Sequence, residues 1–197
     1  MKGWKSGVQK RIKEIYQYAY FVHCYAHQFN LILVESASHI LSVKIFFGDL
    51  SYIPTFFSKS PQRLTVLEQC TDGRRVPRPS TTRWNFRSRT VLMVHKYKQQ
   101  ILECCTILET YDSESTVSGA TAIKRSLTDG DNVFWLDLFA KIMIRVDILY
   151  NTLQGRELTP PKAARAVGHF QTDIQTIRDE IDDYELPPET RRSSRIV

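Results

Sequence analysis

Apolar residues recur at helical spacing through most of this chain, and glycine, proline and small polar clusters fall where such segments should end. That pattern predicts a mainly α fold. Residues 8–16 form a short helix rich in positive charge, and residues 20–24 (YFVHC) are β-prone and of strand length, the one strand expected. Residues 27–39 carry Phe29, Leu31, Ile32, Leu33, Val34 and Ala37, apolar all round as a buried helix would be. The pattern continues over 41–57, with a kink expected near Gly48 or Pro54. Ser60-Pro61 sets a cap residue before a proline at the first helical position and leads into a helix over 62–70. A loop over 71–80 holds Gly73, Pro77 and Pro79, and Thr81 or Thr82 can cap the next helix. In that helix Val91, Val94, Ile101, Cys105 and Leu108 share a face, with a break expected midway. Residues 112–119 read as a polar linker, and 129–131 (DGD) as a tight turn before a long helix. Its apolar stripe is Trp135, Leu138, Ile142, Val146, Leu149 and Leu153, and Gly155 closes it.

After Pro160-Pro161, the positions Ala163, Val167, Phe170, Ile174, Ile177, Ile181 and Tyr184 alternate spacings of four and three, a seam for another helix. The preceding helix is the natural partner, in an antiparallel hairpin. A seam of about three heptads also permits pairing with a second copy or a protein partner through the helix over 162–185. The tail, 187–197, is expected to be flexible. No internal repeat is visible.

With 42% hydrophobic and 24% charged residues, the 197-residue chain has the balance of a globular protein with one sizeable core. The net charge of +6 favours nucleic acid or an anionic surface as partner, and its distribution sharpens the point. Five basic residues and no acid occupy positions 1–13, whereas seven carboxylates and only Arg178 occupy 173–189. Between Gly73 and Leu102 stand Arg74, Arg75, Arg78, Arg83, Arg87, Arg89, Lys96 and Lys98, with no Asp or Glu. Such a window attracts phosphate backbones. Trp84 lies inside it; its indole can stack an unpaired base, worth roughly 1 to 3 kcal/mol, or serve as a core anchor at the start of a helix. The candidate nucleic-acid contacts are therefore Arg75, Arg78, Arg83, Trp84, Arg87 and Arg89.

Other chemistry is thinly represented. No apolar run reaches the ~18 residues of a membrane span, because Lys44 and Asp49 interrupt the richest region, 40–57. The N-terminus lacks a secretory signal pattern, and Cys24, Cys70, Cys104 and Cys105 lack framework spacing, so reduced thiols in an intracellular protein are expected. Cys24-x-x-His27 has the spacing of two metal ligands, but structural zinc needs four and no second pair matches. Cys24 is read instead as a buried small hydrophobe and His27 as a residue that caps or orients the following helix. There is no nucleophile motif or glycine-rich phosphate loop, and Glu14, Glu35 and Asp49 are each expected on solvated helix faces. No catalytic residue, metal or cofactor is assigned.

Four stretches in order, GWKSGVQKRIKEI, VHCYAHQFNLIL, FFSKSPQRLTVL and STTRWNFRSR, resemble the hAT-type DNA transposases, most nearly the domesticated members found beside MYM-type zinc fingers. The resemblance covers roughly residues 3–108. It implies that residues 1–27 are part of a ribonuclease-H-like core and that 28–111 begin a helical insertion domain carrying the Arg-Trp motif. A helical hairpin region over 112–186 and the tail would follow. Cys24 and His27 match a family hallmark pair, and Arg83 and Trp84 match an Arg-Trp pair that in the family lies near the DNA end being cut, its tryptophan against a distorted base. Arg87 and Arg89 then become phosphate partners. The family's three carboxylates, which bind two divalent metals, have no counterpart here, nor does its N-terminal DNA-binding finger. The implied protein is therefore a nucleic-acid-binding remnant, catalytically incomplete alone, placed in the nucleus by the family and its basic balance. Two other readings stay open: an interaction scaffold, and a fragment of an active transposase. One strand and one helix cannot cover their own sheet edges, so the first forty residues are expected to pack poorly.

Overall fold

The structure is a computed structural model that describes residues 7–20, 24–77 and 84–182, with the side chains of 84–86 and 182 left out of the description. Among the described residues nine helices and no strand occur. They are α1 (Val8–Ile15), α2 (Tyr25–Ser38), α3 (Leu41–Ser58), α4 (Pro61–Cys70), α5 (Trp84–Lys96), α6 (Lys98–Leu108), α7 (Glu114–Thr128), α8 (Gly130–Leu153) and α9 (Pro160–Asp182). The fold is mainly α, as the periodicity requires. The expected strand falls on 20–24, of which 21–23 lie outside the described residues, as does the tail.

Local chemistry accounts for several helix ends. Ser60 caps α4 by accepting the backbone N–H of Arg63, with Pro61 at the first helical position where no N–H is needed. Asp129 caps α8 in the same way through the N–H of Asn132. Gly73 adopts φ +76°, and its N–H bonds Glu68 O at 2.7 Å to close α4, a conformation that favours glycine. The expected midway break separates α5 from α6 at Tyr97.

One core extends from Val43 to Met143 and draws on α3 through α8, so it crosses position 111/112. α8 packs most extensively on α5 and on α9, and α6 on α7. The shared face of α5 and α6 is as expected, since Val91, Val94, Ile101, Cys105 and Leu108 are fully buried. A second, smaller cluster joins Ala26 of α2 to Leu149, Leu153 and Ala163, with Phe29 edge-on to Phe170 at 5.2 Å. The α8–α9 hairpin is present.

Four expectations need correction. Residues 112–119 are not a linker. Ser113 precedes α7, and Thr116, Gly119, Ala120, Ile123 and Leu127 recur at spacings of three and four on a buried face. Serine, threonine and glycine masked this helix because their weak intrinsic propensity is overridden by packing. α3 is assigned as one helix through Gly48 and Pro54, and a sharp bend of 107° lies between α2 and α3. α2 is not buried all round: only Ala26 and Asn30 are, while Leu31 and Ile32 are exposed. In the first half of α8 the fully buried residues are Leu136, Phe139, Ala140 and Met143, while Trp135 and Ile142 of the expected stripe are only partly buried against the same core, because neighbours pack on several sides of this helix. On α9, Ala163 and Ile177 are buried but Val167 is 39% exposed, and Ala166 packs instead.

No single described helix is long and apolar enough to cross a membrane. α1 buries no residue and exposes Val8, Ile12 and Ile15.

Candidate nucleic-acid interface

α3 organises the chemistry of the molecule by presenting three faces. Val43, Phe46, Leu50, Ile53 and Phe57 point into the core. Lys44, Phe47, Gly48 and Ser51 follow the i, i+3, i+4, i+7 rule along one flank, and Ser42, Ile45, Asp49 and Tyr52 lie along another. Each flank lines a cavity.

The first cavity, about 390 Å³, lies between α2, α3 and α5. Arg87 reaches into it from α5, with its guanidinium carbon 4.9 Å from the centre of the Phe47 ring, a cation–π contact. Burial pushes the Arg87 guanidinium below its ordinary value, yet the group stays a cation at any ordinary pH. Lys44, exposed on α3, also lines this cavity. The second cleft, about 850 Å³, lies between α3, α7 and α8 and is bordered by Asp49, Asp129, Asp131, Arg125, Tyr52 and Trp135. Asn132 Nδ2 donates to Asp49 Oδ2 and to Ser126 Oγ, each at 3.1 Å, and so ties α8 to α3 and α7 there.

The predicted contacts are distributed unevenly. Arg78 and Arg83 lie outside the described residues; Trp84 begins α5, but its side chain is not described. Arg75 is exposed and paired with Glu68 through Nε, so one guanidinium of the acid-free window is met by an acid from outside it. Thr90 Oγ1 donates to Pro77 O at 2.9 Å, which holds the Arg74–Arg75 loop against α5. Arg89 is exposed on α5 and close enough to Asp147 of α8 to act on it electrostatically. Burial raises the Asp147 carboxyl, while the Ser88 hydroxyl, which donates to it, and Arg89 pull the other way. Arg87 is half-buried in the cavity, a different setting from that of Arg75 and Arg89.

Cys24 is exposed as the N-cap of α2, with no side-chain cap bond, and His27 is exposed one turn on. Cys24 is therefore not the buried hydrophobe expected. Among the described residues no group of three or more His, Cys, Asp or Glu could hold a metal ion. Lys44, read from the sequence only as a break in an apolar run, stands four residues before Gly48 and three before Phe47 and so belongs to the flank that lines the first cavity. No family model, curated protein or solved structure matches this chain.

Proposed function

We propose that this chain binds nucleic acid through the basic edge formed by the 71–77 loop and the beginning of α5. The observation that carries the reading is the acid-free window from Gly73 to Leu102, which places eight cations along one stretch of chain. The exposure of Arg74, Arg75 and Arg89 and the docking of the loop onto α5 support it. Arg78, Arg83 and Trp84 complete the set, with the arginines on phosphates and the indole on an unpaired base. The resemblance to hAT-type transposases supports the same edge and adds a nuclear setting; in that reading the chain binds and does not cut. A labelled DNA hairpin with an unpaired loop, titrated with the full chain at several salt concentrations, tests the proposal. The expected log–log salt slope falls by about one for each phosphate contact removed in Arg75→Ala, Arg78→Ala and Arg89→Ala. Trp84→Ala should cost roughly 1 to 3 kcal/mol on the looped substrate and less on a blunt duplex. Salt-independent binding, or variants indistinguishable from the parent chain, would refute it.

A second reading is a protein-interaction surface. It is favoured by the exposed apolar side chains of α1 to α3, namely Val8, Ile12, Leu31, Ile32 and Leu41, more than by the α9 seam, which α8 covers in part. In a longer transposase the ribonuclease-H-like sheet would lie at this end and could cover the same residues.

A further inference from the structure

We propose that the cavity between α2, α3 and α5 is a binding site for a phosphate group, held jointly by Lys44 and Arg87. Among its described lining residues there are two cations and no carboxylate. The larger cleft on the other flank of α3 has the opposite character, with Asp49, Asp129 and Asp131 against Arg125. A volume of about 390 Å³ exceeds what a bare ion needs and falls in the range of small-ligand pockets. The apolar wall of Val34, Ala37 and Leu50 would then face a sugar or ring carried by the phosphate.

The two cations are suited to different tasks. Arg87 is half-buried over the Phe47 ring, so its rotamers are restricted and its donor fork is held in place. The lowered Arg87 value, caused by burial, has the same origin. Lys44 is exposed on α3 and lines the same cavity, so its flexible ammonium can meet an incoming anion. The hydroxyls of Ser38 and Ser51 shape the wall without supplying donors, because they already donate to Glu35 O and Gly48 O, each at 2.7 Å. Binding therefore rests on the cations. The phosphate can belong to a free phosphate ester or to a nucleic-acid backbone, and these sources are separable by experiment.

The full chain is titrated by isothermal calorimetry with sodium phosphate, with adenosine 5′-monophosphate and with a short single-stranded oligodeoxynucleotide, all at matched ionic strength. Saturable binding of at least one probe is expected, weakened about tenfold or more by Lys44→Glu, since a hydrogen bond to a charged group is lost and a like charge introduced. Lys44 is exposed, so this variant should keep the parent's circular dichroism and melting temperature. Arg87→Lys, which keeps the charge but loses the fork, should weaken binding less than Lys44→Glu; Asp131→Asn, in the other cleft, should leave it unchanged. Binding of phosphate or the mononucleotide assigns a free ester as ligand, and binding of the oligonucleotide alone assigns a backbone phosphate; either supports the site. No saturable binding of any probe, or equal affinity in the parent and Lys44→Glu, overturns it. DNA-hairpin binding that responds to Arg75→Ala and Arg89→Ala but ignores Lys44→Glu would sink this cavity while leaving the basic edge intact.

Discussion

Gly119 offers a direct test of how α7 docks on α3. A Cβ at this position would lie 2.3 Å from Phe56 Cε2, 2.6 Å from Phe56 Cδ2 and 2.9 Å from the Tyr52 hydroxyl. Carbon atoms in contact settle at about 3.5 to 4.0 Å, so the ring would have to move by more than about 1 Å. It has little room to do so. Phe56 is 2% exposed, its ring stands 5.1 Å from that of Phe57, and the Arg63 guanidinium lies 4.4 Å from its centre. Overpacking of this kind costs about 1 to 3 kcal/mol. Against it stands the gain of replacing glycine by alanine inside a helix, about 0.5 to 1 kcal/mol. Gly119→Ala should therefore be destabilising by about 1 kcal/mol net. Gly48 is the matched control: it too lies inside a helix, but a Cβ there meets nothing within 4 Å. Gly48→Ala should gain the propensity term alone, which separates the two variants by about 2 kcal/mol. In urea unfolding followed by far-ultraviolet circular dichroism, that difference is about 1 M between midpoints. Should Gly119→Ala prove as stable as Gly48→Ala, the close approach of α7 to Phe56 is wrong.

Arg63→Met should cost about 1 to 3 kcal/mol in the same assay. The change removes bonds from Nε to Thr116 Oγ1 at 3.1 Å, from Nη2 to Ser115 Oγ at 3.2 Å and from Nη1 to Phe56 O at 3.4 Å, which together link α3, α4 and α7; an unchanged midpoint contradicts that role. The thiols should separate by burial: alkylation read by mass spectrometry should modify Cys24 first, Cys70 more slowly, and Cys104 and Cys105, both 0% exposed, only on unfolding. Burial also pushes Cys105 up from 9.0 to about 12, with Glu109 raising it and Lys124 opposing, and raises Cys70 and Cys104. The unfolded chain then loses these protons first. Stability from the thiols is full below about pH 9 and falls above it by up to about 1.4 kcal/mol per pH unit per thiol, so a flat alkaline profile of urea midpoints would count against their burial.

The residues most legible in the sequence are those whose local chemistry and tertiary setting agree. Ser60 and Pro61 start α4 as their types demand, and the α5–α6 face from Val91 to Leu108 is buried at every position named. Legibility fails where a neighbour decides. Gly119 reads as a linker residue, yet it is glycine because Phe56 occupies the space a side chain would fill. The apolar residues of α8 lie on more than one side, so periodicity alone does not say which side meets α5 and which meets α9. The arginine window was visible as charge. That Arg75 folds back on Glu68, seven residues before it, depends on the turn at Gly73, and that Arg87 turns into a cavity depends on α2 and α3, far from it in the chain.

The remaining step concerns the direction of the field. A net charge of +6 spread evenly would attract a polyanion to any face, but α3 prevents even spreading. Its Lys44 flank opens toward Arg87, while its Asp49 flank opens toward Asp129 and Asp131. Lys44 and Asp49, five positions apart on one helix, thus point about 140° away from each other and onto different flanks. Cavity walls of low polarizability weaken screening between charges within a cleft, so each cleft acts on a ligand mainly through its own lining. On the Lys44 side of α3 an anion would meet two cations and no described carboxylate, whereas on the Asp49 side Arg125 is outnumbered by three carboxylates. If the charge of Asp49 were removed, the gain in anion affinity should appear at the larger cleft and not at the Arg87 cavity, because the body of α3 stands between them.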